Sequence, residues 1–318
     1  MIRCFAVRHA VVSATALVAL CLITTDLVAW DWPQWRYDAG RTAVVTNRLP
    51  AEMHLQWILD LPAPKTAWPA SQEKLQFDAC YEPVVFDKTI FVPSMNADSV
   101  TAYDIATGGE KWRFYADAPV RFAPACAGGK VYFVSDDGIL YCLEAATGRL
   151  AWKVRGAPDD RKVLGNDRLV GMWPARGGPV LYGGTVYFAA GIWPFMGVFI
   201  HALDAETGRV IWTNSGSGAQ WLLQPHMSPA FGGIAPQGYL AASGDSLVVS
   251  GGRNVPGALD RRSGRWLYFN PSERGTGCPV AIAQSCVFSP DRVSELSSGR
   301  MMQAFPWGAY TPEGAYGM

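Results

Sequence analysis

Hydrogen-bonding and aromatic side chains gather in a few stretches that interrupt an otherwise regular sequence. The donors are three arginines, two carboxamides and a histidine: Arg168, Arg176, Arg253, Gln224, Asn254 and His226. Such donors suit a carboxylate-rich or polyhydroxy ligand. Trp173, Trp193 and Trp221 add flat apolar faces for stacking. If the stretches share one face, they predict a small-molecule or glycan pocket. The alternative is that they pack on one another, with His226 as a hydrogen-bonded loop residue.

Groups that would carry out catalysis are harder to find. No nucleophile and base stand at a diagnostic spacing. The acid pairs Asp136-Asp137 and Asp159-Asp160 contain oxygen ligands that suit Ca²⁺. Paired acids in hairpin turns and loops are ordinarily solvated, however, so we expect these four side chains in solvent. The sequence therefore assigns no catalytic or metal-binding residue.

Cysteine spacing leaves the redox state open. Beyond the first 29 residues there are five cysteines: Cys80, Cys126, Cys142, Cys278 and Cys286. None has the close spacing of a structural metal site. An exported chain can form disulfides, and buried thiols that pack as small apolar side chains are the alternative.

The elements that must position the pocket residues repeat along the chain. The stretch from Ala202 to Trp212 reads as a strand, a tight turn and a second strand, with Asp204 to cap the turn and Gly208 to supply positive φ. Two further copies have the same spacing, and a fourth copy ends at Tyr268. The repeat positions are Asp104, Thr107, Gly108, Trp112; Glu144, Thr147, Gly148, Trp152; and Asp204, Thr207, Gly208, Trp212.

A second element lies at a fixed distance upstream of each turn. Pro83, Pro124 and Pro179 each precede a β-rich triplet by seven positions. A period of roughly 40 residues with several short strands is typical of propeller blades. We therefore predict an all-β fold, a β-propeller of four-stranded blades, with four to five blades present as an incomplete ring of seven or eight.

The pattern Ala-x-Asp-x-x-Thr-Gly-x-x-x-Trp resembles the blade signature of the PQQ-like (quinoprotein-type) β-propeller repeat family. The resemblance covers residues 83–269 and extends faintly to 305, and 31–36 resembles the opening of many exported members. In that family the motif tryptophan docks between neighbouring blades, which implies a structural role for Trp112, Trp152 and Trp212. Dehydrogenases of the family hold PQQ over Ca²⁺ with an Asp as base, and many have a disulfide between adjacent cysteines. This chain has no adjacent cysteine pair.

These patterns divide the chain into three parts. Residues 1–29 have a basic start, a short apolar run and a passable cleavage site, which predicts a signal peptide. Residues 30–76 form a lead-in, in which 54–61 is expected to be a strand that closes a shared blade through Trp57. Residues 77–318 carry the repeats, with blades at about 80–114, 122–154, 175–214, 238–270 and, faintly, 278–305.

The predicted signal peptide and the formal net charge limit the expected cellular location and the expected binding partners. We expect export to a periplasmic or cell-envelope location, with membrane attachment only through an uncleaved leader or lipidation at Cys21. Formal net charge is zero, which gives no electrostatic case for nucleic acid. The residues and the resemblance favour a non-catalytic scaffold that binds a protein, at the propeller face or open edge, or a ligand, with no cofactor. The alternative is part of a PQQ- and Ca-dependent alcohol or sugar dehydrogenase. The short repeat region favours a fragment of a longer polypeptide.

Overall fold

The computed structural model describes residues 31–49, 51–72, 75–165, 167–215, 220–223, 227–252, 254–273, 275, 278–304, 308–311 and 314–317. The leader over 1–29 lies outside these ranges. The described residues form an all-β structure without an α-helix; one turn of 3₁₀-helix spans Pro194–Met196. They contain no helix that is long and apolar enough to cross a membrane.

Five sheets follow one another along the chain, and each contains a four-stranded antiparallel meander. Their strands are β1 Val84–Phe86, β2 Thr89–Ser94, β3 Ser99–Asp104, β4 Glu110–Tyr115; β5 Ala125–Ala127, β6 Lys130–Val134, β7 Ile139–Glu144, β8 Leu150–Arg155; β11 Gly177–Tyr182, β12 Thr185–Ala190, β13 Phe199–Asp204, β14 Val210–Ser215; β18 Ala241–Ser243, β19 Ser246–Val249, β20 Gly257–Asp260, β21 Trp266–Tyr268; and β22 Ala281–Ala283, β23 Cys286–Ser289, β24 Arg292–Glu295, β25 Met301–Ala304. We call these sheets blades 1 to 5. The predicted all-β class with four-stranded blades is confirmed.

Further short strands decorate the blades. β17, Gly238–Tyr239, pairs in parallel with the first strand of blade 3. Three two-stranded hairpins complete the set: β9 Lys162–Gly165 with β10 Arg168–Gly171, β15 Gln220–Leu223 with β16 Pro229–Gly232, and β26 Gly308–Thr311 with β27 Gly314–Gly317. The first of these hairpins lies in the connection between blades 2 and 3, and the second lies in the connection between blades 3 and 4.

The repeated turn works as its residue types require. One oxygen of the Asp104 carboxylate accepts hydrogen bonds from the backbone N–H of Ala106 and Thr107, at 3.1 and 3.0 Å, and from the Thr107 hydroxyl. Asp204 accepts the corresponding bonds from Thr207. Because these bonds favour the charged carboxylate, the pKa of both aspartates lies below its ordinary value. Blade 2 has Glu144 at this position, and its side chain instead pairs with Lys130.

The motif tryptophans join each blade to the next. The indole N–H of Trp112 donates to the Ala145 carbonyl at 2.9 Å, and the ring lies against the turn glycine Gly148. A Cβ added to Gly148 would lie 2.6 Å from the Trp112 ring. The same arrangement recurs for Trp152 and Trp212, whose indoles donate into the following blade. The glycine is therefore required both for positive φ and for the close approach of the ring.

Trp57 takes this place in front of blade 1. Its indole donates to the Ile105 carbonyl at 3.0 Å, and its ring lies against Gly108. No strand hydrogen-bonds to 54–61 within the described residues, so its role as a closing strand stays a prediction. Leu55 and Ile58 are 78% and 72% exposed, whereas Trp57 packs against blade 1.

The lead-in crosses the first strands of all five blades, a path that the sequence did not predict. These strands are neighbours in chain order. Trp32 forms a two-bond bridge with Val85 of blade 1. The lead-in then bonds to the remaining four blades in order, through the pairs Pro33–Cys126, Gln34–Leu181, Ala39–Ala242 and Gly40–Ile282.

Arg41 fixes the end of this crossing. It is fully buried and donates to the carbonyls of Leu240, Pro179 and Trp35 at 2.8, 2.7 and 3.0 Å. Burial lowers the pKa of Arg41 to about 10. The three carbonyls come from blades 3 and 4 and from the lead-in itself, so a single guanidinium joins three segments that are distant in sequence.

Candidate functional site

A buried ion network lies where loops of blades 1 to 3 converge. Asp136, in the turn between the second and third strands of blade 2, accepts bonds from Arg121 Nε at 2.7 Å and from Arg176 Nε and Nη2, both at 3.1 Å. All three residues are at least 95% buried. Burial alone would raise the pKa of Asp136, but the two guanidinium groups hold it below its ordinary value. We call the loops that meet here the loop face: residues 62–72, 75–78, 116–124, 135–138, 172–176, 191–198, 227–237 and 250–252.

Asp78 completes the network from the segment that leads into blade 1. Its Oδ2 accepts a 2.6 Å bond from Arg121 Nη1 and a 2.9 Å bond from the Ala67 N–H. Its Oδ1 is buried, and no described residue forms a hydrogen bond with it. Burial raises the pKa of Asp78 despite the nearby Arg121. The network thus contains two carboxyl groups and two guanidinium groups in a site closed to water.

The expectation that the acid pair of blade 2 would be solvated is wrong. Asp136 and Asp137 are 1% and 7% exposed. Asp137 accepts a 2.5 Å bond from the Tyr141 hydroxyl and a 2.9 Å bond from the Ile139 N–H. The turn is covered by the connection between blades 2 and 3, whose Gly171 N–H donates to the Asp136 carbonyl. The second pair differs, because Asp159 forms an exposed pair with Arg161.

A cavity of about 570 Å³ opens on the loop face above this network. Its walls are aromatic and aliphatic, with Trp193, Phe195 and Phe231 respectively 44%, 63% and 55% exposed. Trp68 also lines it and contacts Trp193 edge to face, with ring centroids 6.1 Å apart. We call this cavity the aromatic pocket. Among the described residues that line it, none has a charged side chain.

Trp68 connects the aromatic pocket to the ion network. The Arg176 guanidinium lies 6.0 Å from the Trp68 ring centroid. The indole N–H of Trp68 donates to the side-chain oxygen of Gln237. Asn254, also in the lining, donates from its amide to the Gly233 carbonyl at 3.1 Å. The charges therefore lie one layer beneath a neutral surface.

The structure separates the sequence-predicted pocket residues. Trp193 and Asn254 line the aromatic pocket, and Arg176 lies beneath it. Arg168 forms an ion pair with Asp98 of blade 1. Trp173 is 5% exposed and donates to the Met196 carbonyl at 2.7 Å, so it offers no free face. Gln224, His226 and Arg253 lie outside the described residues.

Residues that the sequence analysis missed include Trp68 and Gln237. They lie 169 positions apart, and no repeat or motif links them. Trp68 lies in the lead-in of residues 30–76, for which the sequence predicts a closing strand and no pocket residue. The available signal was a bulky aromatic in a long loop before the first blade, since long loops on a repeat scaffold are frequent binding sites.

A second polar group lies among the first strands of the blades. Glu82 accepts a 2.7 Å bond from the Trp35 indole and another from the Tyr239 hydroxyl. The rings of Trp35 and Tyr239 stack at 4.1 Å. Burial raises the pKa of Glu82. The rings and the carboxyl group thus form a packed, hydrogen-bonded unit against the lead-in.

The larger cavity of about 840 Å³ follows the lead-in. Its lining combines residues 33–34, 36–42 and 44 with the ends of the first strands of blades 3 to 5. The backbone bonds from Ala39 and Gly40 to blades 4 and 5 run along it. It is a groove between the lead-in and the blades rather than a space ringed by converging side chains.

The described residues do not fit PQQ held over Ca²⁺. Calcium takes six to eight oxygen ligands, and no three His, Cys, Asp or Glu side chains of the described part come together to hold a metal ion. Both carboxylate oxygens of Asp136 accept hydrogen bonds from arginine side chains. The five cysteines from Cys80 to Cys286 are free thiols in this part of the chain. No step is therefore derived through this cofactor.

Comparison with known proteins identifies the repeats. The family model described as "Outer membrane protein assembly factor BamB" matches residues 54–191. The dehydrogenase subunit of a quinone alcohol dehydrogenase from Gluconacetobacter polyoxogenes is 33% identical over 142 residues, or 41% of this chain. Quinohemoprotein alcohol dehydrogenase ADH IIB from Pseudomonas putida is 30% identical over 144 residues. The blades are PQQ-like repeats. The chain spans only 19% of the length of either relative.

Solved structures support the fold of these PQQ-like repeats. BamB from Moraxella catarrhalis superposes with a TM-score of 0.53 at 18% identity, over 70% of this chain and 62% of that one. Quinohemoprotein alcohol dehydrogenase from Comamonas testosteroni gives 0.59 at 19% identity, over 91% of this chain and 52% of that one. At such identities the likeness shows a shared fold and no shared activity.

Proposed function

We propose that this PQQ-like chain is a non-catalytic binding scaffold that presents its loop face to a ligand or a protein. The observation that carries the proposal is the charge balance of the ion network. Arg121 and Arg176 are bonded to Asp136 and Asp78, so these charged groups are committed to one another. Charged groups that are paired and buried hold loops in place, and they are not available as acid, base or metal ligand.

A protein partner and an envelope location belong to the same proposal. The match to a family described as an outer-membrane protein assembly factor supports both. Under this proposal residues 1–29 are a signal peptide, and the lead-in segment 54–61, with its exposed apolar residues, is a closing strand that pairs with strands from elsewhere in the chain. An exposed strand edge is a ready site for such pairing.

The second candidate is a part of a PQQ-dependent alcohol dehydrogenase. The 33% identity to the Gluconacetobacter polyoxogenes subunit favours it. Under that candidate PQQ would be bound at the loop face. Asp136 and Asp78 would then have to exchange their arginine partners for Ca²⁺.

Dye-linked oxidation of primary alcohols and aldoses separates the two candidates. The folded chain is incubated with PQQ and Ca²⁺ and assayed with an artificial electron acceptor. The scaffold proposal predicts no turnover above that of PQQ and Ca²⁺ without protein. Turnover that requires the folded chain, and that is lost on heat denaturation, would contradict it.

A further inference from the structure

We infer that the aromatic pocket binds a neutral carbohydrate through ring stacking and a hydrogen bond donated by Gln237. This inference rests on the proposed scaffold function and names the chemical class of its ligand. It concerns Trp68, Trp193 and Gln237, which lie on three separate loops of the loop face.

The orientation of the Gln237 carboxamide is fixed by its neighbour. An indole N–H can only donate, so the Gln237 oxygen must face Trp68. The NH₂ group of Gln237 then has no hydrogen-bond partner within the described residues. Gln237 is 5% exposed and lines the pocket, so a ligand oxygen in the pocket can accept from this NH₂ group. A donor without a protein partner is paired by a water or by a ligand oxygen.

The charge of the lining decides between neutral and anionic ligands. A sulfated or carboxylated ligand needs arginine or lysine at the surface of the pocket. Arg176 lies beneath the Trp68 ring and is bonded to Asp136, and Arg168 is paired with Asp98. None of the described residues in the lining carries a charge, which favours a neutral ligand.

The walls decide between a purely apolar ligand and a carbohydrate. Trp193 and Phe195 present partly exposed rings to the pocket, and flat aromatic rings stack on the C–H faces of sugar rings. A purely apolar ligand would leave the Gln237 donor unpaired, whereas a sugar hydroxyl accepts from it. The volume of about 570 Å³ lies within the range of small-molecule sites and has room for more than one sugar ring.

The test is a titration of the folded chain with neutral malto-, cello-, xylo- and chito-oligosaccharides, followed by calorimetry and tryptophan fluorescence. Two variants address the site. Trp193→Ala removes a stacking wall, and Gln237→Glu keeps the oxygen that accepts from Trp68 while it replaces the donor. Tyr115→Ala is the matched control, because Tyr115 is a 64% exposed aromatic outside the pocket lining.

We expect at least one oligosaccharide to bind, and each pocket variant to weaken binding about tenfold or more, with Tyr115→Ala unchanged. Far-ultraviolet circular dichroism of each variant establishes that it is folded. Binding by the wild type weaker than about 10 mM across the panel would overturn the inference. Binding that both folded variants retain, or binding of heparin in place of the neutral sugars, would also overturn it. Turnover with PQQ bears on the scaffold proposal alone, so the two failures are distinguishable.

Discussion

Replacement of Asp136 by asparagine should destabilise the protein far more than a change at an exposed acid. The substitution is close in shape but removes the charge that faces Arg121 and Arg176. Breaking a buried pair by removing one partner costs about 3–5 kcal/mol. Arg121 keeps its bond to Asp78, so we expect about 3 kcal/mol, at the lower end of that range.

The assay is urea denaturation followed by circular dichroism, with a thermal melt as a second measurement. A loss of about 3 kcal/mol corresponds to a fall in Tm of roughly 6–10 °C for a domain of this order of size. Asp159→Asn is the matched control, because the pair of Asp159 with Arg161 is exposed and contributes at most about 1 kcal/mol.

The pH dependence of the same variant provides an independent check. The pKa of Asp136 is lower in the folded than in the unfolded chain. Its contribution to the free energy of unfolding is therefore complete above the ordinary aspartate pKa of about 3.9 and is lost as the pH falls toward the folded value. The difference between wild type and Asp136→Asn should shrink below about pH 4. If Asp136→Asn and Asp159→Asn are equally stable at neutral pH, the reasoning about the ion network is refuted.

Three further predictions test the blade contacts. Gly148→Ala should lower the free energy of unfolding, measured by urea denaturation, by about 1–3 kcal/mol more than Gly183→Ala does. Both glycines have positive φ, but only Gly148 lies against a tryptophan ring. Equal losses would contradict the docking role of the tryptophan. Burial lowers the pKa of His201, so below about pH 6.5 the unfolded chain binds a proton at this histidine that the folded chain does not bind. The free energy of unfolding should therefore fall as the pH drops below about 6.5, and His201→Gln should remove this pH dependence. Arg41→Met should cost about 2–4 kcal/mol because three buried carbonyls lose their donor, and an unchanged denaturation midpoint would argue against the lead-in as a brace.

The blades could be predicted because their determinants are local. Asp104 caps its own turn through Thr107, three residues away. The turn glycine and the tryptophan of each repeat also recur at constant spacing, and the docking of Trp112 between neighbouring blades follows from the family resemblance. Even the faint fifth unit folds as a four-stranded sheet, with Tyr268 in the tryptophan place against Gly299.

The candidate site could not be predicted in the same way, because its contacts join distant segments. Asp136 carries a turn-type sequence and would be solvated in an isolated hairpin. It is buried because Arg121 and Arg176 cover it from two inter-blade connections. The hydrogen bond between Trp68 and Gln237 depends on the arrangement of the blades, which brings the loop before blade 1 close to the loop before blade 4. Composition and periodicity do not report such contacts.

The path of the lead-in is a third case. Its hydrogen bonds to the five blades depend on the position of each first strand, which the sequence of residues 31–42 does not encode by itself. The sequence predicts for residues 31–36 only a resemblance to the opening of exported members, and it assigns no role to Arg41. Their contacts show that the segment is part of the fold.

The most direct test of the scaffold account is a calorimetric titration of the folded chain with PQQ in the presence of Ca²⁺. The account predicts no saturable heat, because Asp136 and Asp78 are committed to Arg121 and Arg176. The sample's β-type circular dichroism and cooperative melt establish that the chain is folded. Saturable binding at one PQQ per chain, lost on removal of Ca²⁺ with a chelator, would contradict the account and place the loop face in a dehydrogenase site.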